Sequence, residues 1–361
     1  MDMLSNLWKR QAPQMVGIDI GSHEVKAILL SKTADGYKIL SHAAVPIKKG
    51  AVNDHDIRDA DAVVECLKQI KRSLPKSVKY AAVSVSGSAV MTKVIYMDAS
   101  LSEEEMEAQI EIEADNLIPY SLDEVSIDFE TLNVNSTDPT KVDVLLSACR
   151  TDNIDVRVDA LDSVELEAKV VDVEGYALGR AAELILAQLP EGAKHKAVAM
   201  VDIGANMTTF SVVESGETTF IREQAFGGEQ FTQSILSFYG MSYDQAEKAK
   251  IEGDLPRNYM FEVLSPFQTQ LLQQIKRTLQ IYCTSSGKDK VDYLVLCGGT
   301  SKLEGMANLL TNELGVHTII ADPFQGCLHA DESVKSALQP TISKYMVACG
   351  LALRSYGQWR T

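Results

Sequence analysis

No uninterrupted apolar run in this chain approaches the roughly 20 residues a membrane-spanning helix needs, and no secretory hydrophobic region opens it. The expected location is therefore cytoplasmic. Paired cysteines are missing as well. Cys66, Cys149, Cys283, Cys297, Cys327 and Cys349 form no Cys-x-x-Cys pair, which argues against a zinc ribbon or a disulfide frame and for free thiols in a reducing compartment. The six histidines include no His-x-x-x-His spacing, so a helical metal site of that type is not expected. A basic surplus is lacking too: Lys and Arg total 34 against 50 Asp and Glu, a formal charge of −16. A field of that sign repels phosphate backbones, which argues against a nucleic-acid partner and is compatible with a basic peptide. The second half holds no low-complexity linker.

What is present fits a soluble chain of two or more domains: 361 residues, 45% hydrophobic and 23% charged. Near the start, Met3, Leu4, Leu7 and Trp8 share one face of a potential short helix beside Lys9 and Arg10. That pattern suits an interfacial segment, but a frayed end or a piece lying on the protein's own surface is the preferred reading. The organising stretch follows, Val16-Gly17-Ile18-Asp19-Ile20-Gly21-Ser22 running into the apolar Val25–Leu30. It reads as strand, tight turn, strand. An aspartate inside a buried run is costly unless compensated, and a cation, direct or through water, would compensate it. Backbone N–H groups at a glycine turn can cradle phosphate. The pattern recurs in Ala199-Met200-Val201-Asp202-Ile203-Gly204-Ala205-Asn206, followed by Thr208–Val213. Either Asp-Ile-Gly alone is an ordinary turn. Two of them far apart suggest two similar halves facing each other.

Between the hairpins, a meander, a helix over Asp61–Ser73 and a strand over Lys79–Ser86 open a mixed α/β domain. A strand–helix–strand–strand–helix set over about Met91–Val164 then reads as an inserted α+β unit. Ser102 and Glu105 supply a capping box for its first helix, and Thr151 or Asp152 is the expected cap of its second. Ala168–Val173 is a strand, Gly175–Gln188 a helix and 190–196 a hinge-like loop. In the second half, Gly227-Gly228-Glu229-Gln230 leads into a helix. Ser242 and Gln245 box another over Tyr243–Ile251, and Ser265–Ser286 is a long helix. Val291–Leu296 is a buried strand ending in the turn Cys297-Gly298-Gly299-Thr300-Ser301, before a helix over Leu303–Leu314. Paired glycines there let a flat ring approach the backbone. A last helix spans about Thr341–Arg354.

The two Asp-Ile-Gly hairpins and the Cys297–Ser301 turn, in this order, resemble the actin-like ATPase superfamily over essentially the whole chain. The resemblance implies an α/β fold with two related lobes around a nucleotide cleft, and ATP with Mg²⁺ as cofactors. It implies that Gly21, Ser22, Gly204, Ala205 and Asn206 hold phosphates and that Asp19 and Asp202 order Mg²⁺ through water. Gly298, Gly299 and Thr300 would back the adenosine, Gly227 and Gly228 would lie near ribose and phosphates, and Glu247 and Lys250 would contact adenosine. Lys26 either reaches phosphate or points to solvent. Glu174 follows the crossing strand, where related ATPases place a catalytic residue; the alternative is a structural carboxylate. Any ATPase activity is expected to be slow.

An insert after Val83-Ser84-Val85 is similar to the FtsA arrangement rather than that of actin. The opening Val16–Ala27, Glu111-Ile112-Glu113-Ala114 with Ile118-Pro119-Tyr120, and Asp172–Leu178 resemble the PilM family of type IV pilus assembly. The implied division has a first lobe of 1–90, 165–190 and 338–361, an insert of 91–164, a second lobe of 191–240 and 288–337, and a helical subdomain of 241–287. The implied partner is the cytoplasmic N-terminal peptide of the inner-membrane protein PilN, in a groove between the first lobe and the insert. The groove walls would be the Ser86–Thr92 turn and the Glu111–Tyr120 helix end. Other inner-membrane assembly proteins, pilus motor ATPases and self-association are further implied contacts, with a location peripheral to the inner membrane. FtsA carries a C-terminal amphipathic anchor; this sequence stops at Thr361 soon after its last helix, so that anchor is expected to be absent. The competing readings are an FtsA-like filament protein of cell division and a small-molecule kinase on the same fold. The kinase reading needs a catalytic base that no Asp obviously supplies.

Overall fold

The computed structural model describes residues 13–357 except 35, 88, 89, 136, 191, 326, 327 and 330–337. The expected N-terminal helix face and Cys327 lie outside the described residues.

Strands β1 (Met15–Ile20), β2 (Glu24–Thr33) and β3 (Gly36–Pro46) form an antiparallel meander. Every residue of β1 is buried, as a near-continuous apolar run between two neighbours requires. A two-residue hairpin, β4 (Val52–Asn53) with β5 (Asp56–Ile57), leads to α1 (Ala60–Ser73). Asp59 caps that helix by accepting the Ala62 N–H, and Val63, Cys66, Leu67 and Ile70 make its buried stripe. Strand β6 (Tyr80–Val85) lies parallel to β1.

The insert comprises β7 (Val90–Asp98), α2 (Glu103–Leu117), β8 (Val125–Val134) and β9 (Lys141–Arg150), with sheet order β7-β9-β8. Its core is its own, built from Met97, Met106, Ile110, Ala114, Val144 and Leu146. The Ser102–Glu105 capping box forms as read. Helix α3 (Thr151–Asp162) differs from expectation twice. It starts after Arg150 with no side-chain cap, because the Thr151 hydroxyl faces that of Ser126 at 3.1 Å. Its Ala160 and Leu161 also pack with Leu67, Ile70 and Val83 in the first sheet's core rather than in the insert's.

Strand β10 (Glu167–Val173) runs parallel to β6, and α4 (Glu174–Arg180) carries the chain across. The second sheet holds β11 (Ala197–Ile203), β12 (Thr208–Glu214) and β13 (Glu217–Gln224). Helices α5 (Gly228–Tyr239), α6 (Tyr243–Glu252) and α7 (Ser265–Ser286) follow, then β14 (Tyr293–Cys297), α8 (Met306–Leu314) and β15 (His317–Ile320). Ala246, Leu264, Phe267 and Leu271 share one continuous core with Val201 and Phe210, so the 241–287 segment packs onto this sheet. The two sheets repeat one plan: β3-β2-β1-β6-β10 in the first matches β13-β12-β11-β14-β15 in the second, with the same strand directions. A short β16 (Leu328–His329) returns to pair with β3.

The lobes meet on α4 and α9 (Met346–Ala352). Met15 and Ala82 of the first sheet, Leu178, Met200 and Val295 of the crossing and second sheet, and Met346 and Leu351 form one buried cluster. Both helices are shorter than expected. Residues 181–184 and 186–188 continue α4 as tight 3₁₀ turns, and 339–345 and 353–356 flank α9 in the same way. The two axes approach closely because a Cβ at Gly350 would overlap the Ala177 carbonyl oxygen. Gly350→Ala is therefore expected to cost about 1–3 kcal/mol by overpacking, read as a lower urea midpoint; an unchanged midpoint contradicts this packing.

Candidate functional site

Both hairpin turns close in the same way. Gly21 N–H donates to the Glu24 carbonyl at 3.1 Å, and Gly204 N–H to the Met207 carbonyl at 2.9 Å. Strand pairing sets Asp19 against Lys26 on β2 and Asp202 against Thr209 on β12. The Lys26 Nζ sits 2.5 Å from Asp19 Oδ2. Burial alone would lower the Lys26 pKa, but Asp19 and then Asp202 outweigh it and hold the ammonium above its ordinary value. The Asp202 carboxyl is pushed up to about 7. Burial is the main cause; Lys26 opposes it, and Asp19 and Glu174 add to it. A hydrogen bond with the Cys297 thiol steadies Asp202, and burial with that carboxylate keeps Cys297 a thiol.

Asp19, Lys26, Asp202 and Thr209 line a cavity of about 530 Å³ between the lobes. Its polar lining includes Asp19, Ser22, Lys26, Glu174, Asp202, Gly204, Ala205, Glu247, Lys250, Gly299 and Thr300. Its apolar wall holds Phe231, Leu255, Tyr259, Leu264 and Leu303. A wider mouth of about 870 Å³ continues outward past Ser22, His23, Ala205 and Glu247 and takes in Asn206. Gly21, Gly227, Gly228 and Gly298 do not line the inner cavity. They form or pack against its turns. Gly228 N–H donates to the Gly204 carbonyl at 2.9 Å, and Thr300 N–H to the Ile203 carbonyl at 3.0 Å. Gly298 has a left-handed φ of 88°, and a Cβ there would strike the Ile203 carbonyl and the Asp202 carboxylate.

Glu247 and Lys250 are organised before any ligand arrives. Lys250 Nζ donates to Glu247 Oε2 and Thr232 Oγ1, both at 2.7 Å, and Thr232 donates to Glu247 at 2.6 Å. Glu174 opens α4 and accepts from Thr209 Oγ1 at 3.1 Å. Burial raises its carboxyl pKa, His55 opposes that, and Asp19 and Glu223 add to it. Sequence reading missed His55, Thr209, Glu223 and Lys49. Lys49 crosses the mouth to Glu229 at 3.2 Å and stacks its ammonium on the Tyr243 ring. Thr209 lies in the second hairpin opposite Asp202, where Lys26 stands in the first, while His55, Glu223 and Lys49 sit in no local pattern and take their places only through the approach of distant segments. Among the described residues, no three His, Cys, Asp or Glu side chains gather to grip a bare metal ion. Two carboxylates on opposite walls instead suit a hydrated cation delivered with phosphate, since Mg²⁺ gives up its waters reluctantly.

The family described as Type IV pilus assembly protein PilM matches residues 17–356. Cell division protein FtsA of Bacillus subtilis (strain 168) is 26% identical over 260 residues, 65% of this chain and 57% of that protein. The chain thus spans little more than half of FtsA's length. Among solved structures, a PilM–PilN type IV pilus biogenesis complex superposes with a TM-score of 0.80 at 24% identity, over 95% of this chain and 99% of that one. Ethanolamine utilization protein EutJ from Carboxydothermus hydrogenoformans gives 0.58 at 16% identity, over 97% and 92% of the two chains. The fold is the actin-like ATPase fold.

Asp202 has a sign-definite consequence. Its folded pKa of about 7 lies above the ordinary 3.8. The folded state thus holds more proton than the unfolded state in that interval. Its contribution to stability falls as pH rises from about 4 to about 7, and the penalty is complete above that. Asp202→Asn is expected to stabilise the metal- and nucleotide-free protein at pH 8 by on the order of 1 kcal/mol, a gain that shrinks toward pH 4. Thermal melts at both pH values check it, and a variant less stable than wild type at pH 8 contradicts it.

Proposed function

The chain belongs to the PilM family of type IV pilus assembly proteins, and from that premise we propose that it is an ATP-binding scaffold whose cleft state governs docking of the PilN N-terminal peptide. One observation carries the nucleotide half: two copies of one acidic glycine turn face each other across a single cavity with Lys26 between them. Phosphates on the Gly21–Ser22 and Gly204–Asn206 turns would meet backbone N–H groups and the Lys26 ammonium. Bound Mg²⁺ would neutralise phosphate charge and draw Asp19 and Asp202 toward it through water. The apolar wall beside Gly299 suits a nucleobase, and the Glu247 carboxylate suits ribose hydroxyls. Glu174, with Thr209 against it, is the group that would orient water near a terminal phosphate. Its burial disfavours the ionised form needed for that work, which fits slow turnover.

For the peptide half, helix α2 offers Glu104, Glu105, Glu107, Glu111, Glu113 and Asp115 with no basic residue in its last turn. Ile112 and Tyr120 are exposed apolar groups at the same helix end. Acid flanking apolar anchors suits a short peptide with basic and hydrophobic residues. The other groove wall runs over residues 86–92, of which 88 and 89 lie outside the described residues. No described helix is long and apolar enough to cross a membrane, and attachment to the inner membrane is assigned here to the partner. Contacts with further assembly proteins, with motor ATPases and between copies belong to the same proposal.

Two titrations test the halves separately. Asp19→Asn is expected to weaken Mg–ATP binding at least about ten-fold, about 1.4 kcal/mol, with little change in peptide affinity in the absence of nucleotide. Tyr120→Glu is expected to weaken a fluorescent PilN N-terminal peptide by about the same factor with nucleotide affinity intact. Wild-type Mg–ATP affinity in the first variant overturns the phosphate site, and wild-type peptide affinity in the second overturns the groove.

A further inference from the structure

We propose that His55 is a positioning residue that holds the Glu174 carboxylate in register with the second lobe, so that the water-orienting group is set only when the lobes close. This rests on the reading of the cleft as a nucleotide site with Glu174 beside the terminal phosphate. His55 sits at the tip of the β4–β5 hairpin, whose loop is two residues long. Asp54 and His55 have φ values of 46° and 67°. That is the double left-handed turn that short hairpins favour, usually built with Asn-Gly. Two residues with side chains in that conformation are strained, and strain of this kind persists only where the surroundings impose it. Here they do. Arg157, 3% exposed, donates to the His55 carbonyl at 2.6 Å while also donating to Ser84 and Asn153 carbonyls. Gly87, itself left-handed, packs against Asp54 and His55.

The turn aims the imidazole at two acids from different parts of the chain. Nδ1 is 3.5 Å from Glu174 Oε2 at the head of the crossing helix. Nε2 is 4.0 Å from Glu223 Oε2 on β13 of the second lobe. Nε2 is buried and has no hydrogen-bond partner, a state that costs free energy until a partner closes in. Glu223 is held by the Gly87 N–H at 2.9 Å, so a shift of β13 by a fraction of the imidazole's width would complete the contact. Protonated imidazole has two N–H donors, one for each carboxylate. Glu174 would then be fixed from both sides, by His55 of the first lobe and Thr209 of the second. The charged groups around this cluster are Glu174 and Glu223 facing the ring, Asp19 beyond Glu174, Arg157 behind the His55 carbonyl, and Asp54 and Asp56 on the hairpin itself.

The test combines a double-mutant cycle with a turnover measurement on the full chain. His55→Asn is the informative variant, because Asn tolerates the left-handed turn and removes the imidazole. In urea unfolding of the nucleotide-free protein, the effect of His55→Asn is expected to be non-additive with those of Glu174→Gln and Glu223→Gln. With His55→Asn, affinity for a non-hydrolysable ATP analogue with Mg²⁺ should stay within about two-fold, while single-turnover phosphate release should slow by about ten-fold or more. Additive effects with both acids overturn the pairing. Phosphate release in His55→Asn at the wild-type rate overturns the positioning role, as does wild type that binds the analogue and releases no phosphate. Wild type that fails to bind the analogue removes the nucleotide reading instead, while the cycle still decides whether His55 is paired.

Discussion

One ammonium group holds the cleft in its present shape. Asp19 and Asp202 come from equivalent turns of two equivalent sheets, and their carboxylates line the same cavity together with Glu174. Like charges in a half-buried cleft repel and resist ionisation, and the Asp202 pKa records that conflict. Lys26, anchored on the strand next to Asp19, supplies the main opposing charge that acts on Asp202 among the described residues. Its own desolvation is offset by the acids it separates. A triphosphate with a divalent cation brings both signs of charge into this space, so it would take over part of the balancing that Lys26 performs. The ion pair thereby connects the local hairpin pattern to the spacing of the lobes.

The lobes are joined mainly through two short helices. Helices α4 and α9 cross at Gly350 and Ala177 with no side chain between them, and one apolar cluster wraps the crossing from both sheets. Contact that close transmits rotation with little slack. Gln188 with Asp322 and Ser343 with Gly298 and Ser301 add further links, and at the cleft's edges the lobes touch through His55 and Gly87 with Glu223, Lys49 with Glu229, and His23 near Glu247. Such exposed or half-buried contacts are individually weak and can be exchanged as a ligand arrives. A rigid pivot with exchangeable edge contacts is the arrangement a ligand-driven closure needs.

The parts legible in the sequence are those whose cause is local. Asp19-Ile20-Gly21 and Asp202-Ile203-Gly204 could be read because a buried strand must end on a turn, and the glycine and the acid both sit within two residues of it. The boxes at Ser102–Glu105 and Ser242–Gln245 formed as read because each involves one helical turn. The expected cap of α3 failed because the Thr151 hydroxyl has a rival 25 residues away in Ser126. The expected long helices at 175–188 and 341–354 broke into shorter pieces where two helices are buried against each other, a pressure that composition alone does not reveal. His55 was invisible for a related reason. Its role depends on Arg157, Glu174 and Glu223, which lie 102, 119 and 168 positions further along the chain. Lys26 stood between two readings on sequence alone, and only the β1–β2 register turned it inward.

The most direct measurement is a crystal structure of the protein with Mn²⁺ and a non-hydrolysable ATP analogue, with the metal located by its anomalous signal. The expected result is a single manganese peak between Asp19 and Asp202, separated from both by water, with phosphates on the Gly21–Ser22 and Gly204–Asn206 turns and the base beside Gly299. A nucleotide bound elsewhere, or a metal peak on a surface remote from both aspartates, would contradict the picture of twin acidic turns sharing one ligand.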